Sequence, residues 1–165
     1  MAEIIKVYKQ SAGAMRFIGK RYTDADRVNG MFGAKWDEWM KNGWLDTIRA
    51  GAGSVEGICA DGDAPVGLMR VTEGEFEYWI GLFAPQDAAV PDGFQYVDFP
   101  VGNIGVCWVY GKEPDIYMRE GECWERLAKE GYEGANMWFF ERYAARFNAP
   151  DDKGNIILDI CFFVK

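Results

Sequence analysis

Apolar and polar positions alternate with two different periods along this chain, and the periods repeat. Arg16 to Tyr22 and Ile104 to Tyr110 both read as strands, each closing on a tyrosine. Downstream, Trp36-Asp37-Glu38-Trp39-Met40-Lys41-Asn42-Gly43-Trp44 is echoed by Trp124-Glu125-Arg126-Leu127-Ala128-Lys129-Glu130-Gly131-Tyr132, with Trp, acid, apolar, Lys, Gly and aromatic in register. Each copy reads as the end of an amphipathic helix closed by glycine. Further on, Phe76 to Gly81 resembles Leu158 to Phe163. Three matches in one order predict a duplicated strand–helix–strand–strand unit. The expected fold is α+β: one antiparallel sheet, two helices packed on it, and a ligand cleft between the repeats. Residues 1–165 form a single domain in this reading, with repeat one at about 7–85 and repeat two at about 94–165.

Local signals place the helices. Thr23 with Asp26 three residues on suits a helix N-cap, and Val28, Phe32, Trp36 and Trp39 follow at helical spacing, with Ile48 and Gly51 as last turn and stop. Pro114 suits the second helix start, with Trp124, Leu127 and Ala128 as its apolar stripe. The segment from Ala84 to Gly93 reads as an exposed connection, and Asn148 to Gly154 as a hairpin loop.

Composition narrows the chemistry. The chain has 165 residues, 49% apolar and 27% charged, as folded globular domains do. A net charge of −8 without a basic stripe argues against direct binding to DNA or RNA. No signal peptide or membrane-spanning run is legible, so a cytoplasmic protein is expected. With no histidine, Ser-His-Asp and Cys-His nucleophiles and histidine metal ligands are excluded. Cys59, Cys107, Cys123 and Cys161 form no CxxC pair and read as buried thiols. Gly51 to Gly57 is too long for GxGxxG and follows a helix, and Asp151 to Gly154 is a turn without a calcium ligand pattern. No metal or cofactor is expected. Any catalysis would rest on carboxylates, tyrosine, lysine or water.

One carboxylate has unusual company. In the strand-like run Trp138 to Ala145, side chains alternate, so Phe139, Glu141 and Tyr143 share a face. Glu141 is then an edge charge in water, a partner of a sheet cation, or the wall of an apolar pocket where desolvation raises its pKa. Neighbouring strands offer aromatics: Trp108 and Tyr110 on one face, Phe162 with Ile160 and Val164, Tyr78 with Phe76 and Ile80. Tyrosine and tryptophan suit a flat guest, and cation–π contact favours a cationic one.

These residues, taken in order, resemble the GyrI-like small-molecule-binding superfamily. The stretches that carry the resemblance are Phe76 to Phe83, Val90 to Pro100, Phe140 to Tyr143 and Ile160 to Lys165. That family includes effector-binding domains of multidrug-responsive transcription activators, the DNA gyrase inhibitor protein, and stand-alone members, some of which hydrolyse cyclopropane-bearing genotoxic compounds. The resemblance implies a small-molecule-binding protein with Glu141 as the central carboxylate, Tyr143 beside it, and Trp108, Tyr110, Phe162 and Trp39 as pocket aromatics. It implies an aromatic or cationic ligand. The alternative it implies is a hydrolase with Glu141 as general acid or base and Tyr143 assisting. A third is a gyrase-inhibitor-like protein interaction. No DNA-binding module is legible before the first strand, which points to a stand-alone member. Phe163 stands where the family's last strand often has proline. Oligomeric state is not legible.

Overall fold

A computed structural model describes all 165 residues. The strands are β1 (Glu3–Ala12), β2 (Met15–Thr23), β3 (Val66–Thr72), β4 (Glu75–Pro85), β5 (Gln95–Phe99), β6 (Gly102–Gly111), β7 (Gly134–Arg142) and β8 (Ile156–Val164). The helices are α1 (Gly33–Asn42), α2 (Trp44–Ala52) and α3 (Glu120–Lys129). The eight strands form one antiparallel sheet in the order β1-β6-β8-β7-β3-β4-β2-β5. The two strand–helix–strand–strand units are β2-α1/α2-β3-β4 and β6-α3-β7-β8, and they join where β3 pairs with β7. The two remaining strands cross over: β1 pairs with β6 and β5 with β2, so each half is edged by the strand that precedes the other. No helix is long and apolar enough to cross a membrane.

The helices differ in detail from the sequence reading. One helix is expected between Thr23 and Gly51; the structure has two. Thr23 precedes only a short 3-10 turn, with its backbone N–H donating to Asp26 at 3.0 Å. The chain then reverses at Asn29-Gly30, both with positive φ, under a Val28–Met31 bridge. Asn-Gly is a strong turn pair, and it wins over the helical spacing around it. Gly43, in the left-handed conformation (φ 65°), ends α1, and α2 starts on the next residue. Similarly, Pro114 lies in a turn and α3 begins at Glu120, where Glu120 and Glu122 face the positive end of the helix dipole. Its inner stripe is Cys123, Trp124 and Leu127; Ala128 is exposed.

The two faces of the sheet are packed differently. On one face a continuous core runs across both halves, through Phe17, Leu68, Phe83, Phe140 and Phe163. Phe99 of the edge strand β5 stacks on Phe163 of β8 at 4.4 Å, so the sheet curls until distant strands meet. On the helix face the core is split. One cluster lies under α1 and α2, around Ile18, Trp39, Leu45, Ile48 and Ile80; the other lies under α3, around Cys107, Val109, Leu127 and Ile160. Between them, above the β3–β7 junction, is a cavity.

Candidate functional site

The cavity has a volume of about 340 Å³ and draws its walls from both halves. The first half supplies Phe32, Trp36, Met69, Phe76 and Tyr78; the second supplies Tyr117, Met118, Glu120, Phe139, Glu141 and Tyr143. Strand parity explains the floor. Phe139 and Glu141 on β7 point to the helix face, as Phe76 and Tyr78 do on β4.

Glu141 is 9% exposed. The Tyr78 hydroxyl donates to its Oε1, and Tyr143 lines the cavity beside it. Trp36 Nε1 donates to the Tyr78 oxygen at 2.9 Å, so indole, phenol and carboxyl form a chain. No Lys or Arg pairs with Glu141: every ion pair of the chain uses another acid. Burial pushes its carboxyl up to about 7, assisted by the charge of Glu120; the two tyrosine hydroxyls pull the other way. Burial and the adjacent carboxylate hold both tyrosines well above their ordinary values, so they act as donors.

A glycine makes this contact possible. Gly67 on β3 pairs with Glu141, and a Cβ there would lie 2.7 Å from Glu141 Oε1 and against the Tyr78 hydroxyl. Around the carboxyl the rings are ordered. Phe32 stacks on Tyr78 at 4.2 Å with planes 3° apart, and Trp36 meets Tyr143 edge-on at 4.9 Å. No group of three or more Cys, Asp or Glu is disposed to ligate a metal. The arrangement can desolvate a flat apolar body, face it with π surfaces, and present a carboxyl that titrates near neutrality.

The residues singled out from the sequence fall in several places. Glu141 and Tyr143 line the cavity. Phe162 lies one ring behind it, stacked on Phe139 at 5.6 Å and touching Trp124. Trp39 is fully buried beneath the first half and donates to the Tyr22 hydroxyl at 2.9 Å; Trp36, three residues earlier, faces the cavity. Trp108 is on the opposite face, donating to the Tyr8 hydroxyl at 3.3 Å. Tyr110 bonds Asp151 and accepts from Asn155 at 3.0 Å. Phe32, Trp36, Met69 and Tyr117 also line the cavity, and neither strand parity nor helical spacing singles them out for it. Phe76 and Tyr78 were legible as partners by their shared face.

No family model and no curated protein matches this chain. Solved structures do. SAV2435 bound to tetraphenylphosphonium aligns over 98% of this chain and 94% of that one, with TM-score 0.64 and 16% identity. A candidate bacterial transcription regulation protein from Staphylococcus aureus MU50 aligns over 98% and 99%, with TM-score 0.62 and 16% identity. EcmrR in a complex with DNA aligns over 97% of this chain and 57% of that one, with TM-score 0.55 and 14% identity. At these identities the likeness establishes a common fold, one shared with a protein whose structure holds bound tetraphenylphosphonium.

Proposed function

We propose that the protein is a GyrI-like small-molecule-binding protein, acting as one unit over residues 1–165, that takes an aromatic cation into the cavity between its halves. Glu141 supplies the counter-charge, and Tyr78, Tyr143, Trp36, Phe32 and Phe139 supply the walls. The observation that carries this reading is a carboxyl, nine-tenths buried in an aromatic cavity, whose bonded partner is the Tyr78 hydroxyl and not a cation. A desolvated carboxylate without a cation is costly, and a cationic guest relieves that cost. The bound tetraphenylphosphonium of SAV2435 supports the same class of guest on this fold.

The test is a fluorescence titration, since Trp36 lies in the cavity wall. Tetraphenylphosphonium and neutral triphenylphosphine oxide are titrated into wild type and Glu141→Gln at pH 8. The expected result is saturable quenching by the cation, weakened roughly ten- to hundredfold by the substitution, with the neutral compound unaffected. Equal cation affinity in both proteins would refute it.

A hydrolase reading has one observation in its favour. A carboxyl pushed up to about 7, bonded by the Tyr78 hydroxyl and with Tyr143 in the same cavity wall, can exchange a proton at neutral pH. It predicts turnover of a cyclopropane-bearing electrophile that Glu141→Gln abolishes while binding persists.

A further inference from the structure

The charged groups of the cavity wall are sorted by side. Glu141 and Glu120 come from β7 and α3 of the second half, and the charge of Glu120 adds to the proton affinity of Glu141. The one basic residue of the wall, Arg27, comes from the first half, just before the Asn29-Gly30 turn. Its guanidinium lies over the rings of Phe32 and Phe76, 4.8 Å from each centroid, and its side chain is 29% exposed. Phe32 in turn stacks on Tyr78, whose hydroxyl reaches Glu141. Arg27 and Glu141 are therefore set apart by a stacked pair of rings, the first at the rim and the second in the depth.

Arg27 is held on one side only. Nε donates to Asp24 Oδ1 at 2.7 Å and Nη1 to the Gly30 carbonyl at 2.7 Å. Nη2 makes no bond to the protein, which leaves the outer edge of the guanidinium with donors to spare. An immobilised guanidinium with a free edge is a site for a planar anion. It would also repel a second positive group at the rim.

We infer that the cavity selects an amphoteric aromatic molecule, with its cationic group against Glu141 and a carboxylate on the free edge of Arg27. This rests on the cation-binding reading above and adds the second recognition group. Arg27 is then a specificity-determining residue: it admits a guest that carries its own acid at the outer end and disfavours one whose outer end is neutral or basic.

Three probes separate the two propositions: N-methylquinolinium, N-methylquinolinium-6-carboxylate, and the methyl ester of the latter. Each is titrated calorimetrically into wild type, Arg27→Gln, Arg27→Lys and Glu141→Gln at pH 7.5 and low salt. The wild type is expected to bind the carboxylate at least tenfold more tightly than the ester. Arg27→Gln should bring that ratio close to one while holding or improving affinity for plain N-methylquinolinium, and Arg27→Lys should give an intermediate ratio. Glu141→Gln should weaken all three. If the ester binds as well as the carboxylate in wild type, or if the ratio survives Arg27→Gln, the amphoteric inference is overturned while a Glu141-dependent affinity leaves cation binding standing. If no probe binds, or Glu141→Gln changes nothing, the cation-binding reading falls and takes this one with it.

Discussion

Two buried carboxylates, Glu141 on β7 and Asp159 on β8, lie one register step apart in the sheet and face opposite sides. Asp159 pairs with Arg142, the residue after Glu141, and points into the continuous face. It is fully buried and saturated by arginine: Arg142 Nε bonds it at 2.8 Å and Arg146 Nε at 2.7 Å. Glu77 on β4 follows the same pattern. Burial alone would push its carboxyl up, but bonds from Arg21, Arg70 and Trp79 hold it below its ordinary value. Glu141 alone among the three has no cation and sits beside a cavity. The chain compensates its acids where they are structural. On the proposed function, the uncompensated one over an aromatic floor is where a cationic guest supplies the missing charge.

The contrast can be broken at either carboxylate. The largest effect is expected at Asp159. Asp159→Asn leaves Arg142, 1% exposed, without its close counter-charge and with only Asp61 at 3.8 Å, and should cost about 3–5 kcal/mol of stability in urea unfolding. Glu141→Gln should behave in the opposite sense and depend on pH. The folded carboxyl titrates at about 7 against an ordinary value of 4.5, so between these values the folded state holds a proton that the unfolded state releases. Stability from this group is complete below about 4.5 and is lost as pH rises through 7. The glutamine variant lacks that loss. Relative to wild type it should gain on the order of 3 kcal/mol from pH 4.5 to pH 8, read from unfolding curves at both.

Smaller effects sharpen the geometry. Gly67→Ala forces a Cβ onto Glu141 and Tyr78 and should lower stability by about 1–3 kcal/mol and abolish cation binding in the fluorescence titration. Tyr110→Phe removes a surface bond to Asp151 away from the cavity, and should change stability by less than about 0.5 kcal/mol and cation affinity not at all. A binding defect in that variant would mean the guest sits on the other face.

The sheet and its duplication were legible because period-two alternation and repeated Trp, Gly and Tyr positions survive in both halves. Strand parity also put Phe139, Glu141 and Tyr143 on one face. The helix boundaries were less legible. The Asn29-Gly30 turn and Gly43 break what apolar spacing alone reads as one helix, and that break delivers Phe32 and Trp36 to the cavity. Parity is silent on which face of the sheet a given strand turns toward the helices. Trp108 therefore shares a face with Tyr110 as read, yet packs against Tyr8 across the sheet from Glu141. Trp36 and Trp39 lie on the same helix, and only tertiary packing decides which is core and which is wall.

The most direct test of the central claim is a proton count on binding. A cation that meets Glu141 must favour its ionised form, so binding near pH 7 should expel part of a proton. Calorimetric titration of N-methylquinolinium at pH 7, in buffers with different heats of ionisation, measures this. The prediction is net release of roughly half a proton in wild type and none in Glu141→Gln, whose affinity is also reduced. Binding without proton release, equally strong in both proteins, would contradict a role for Glu141 as counter-charge.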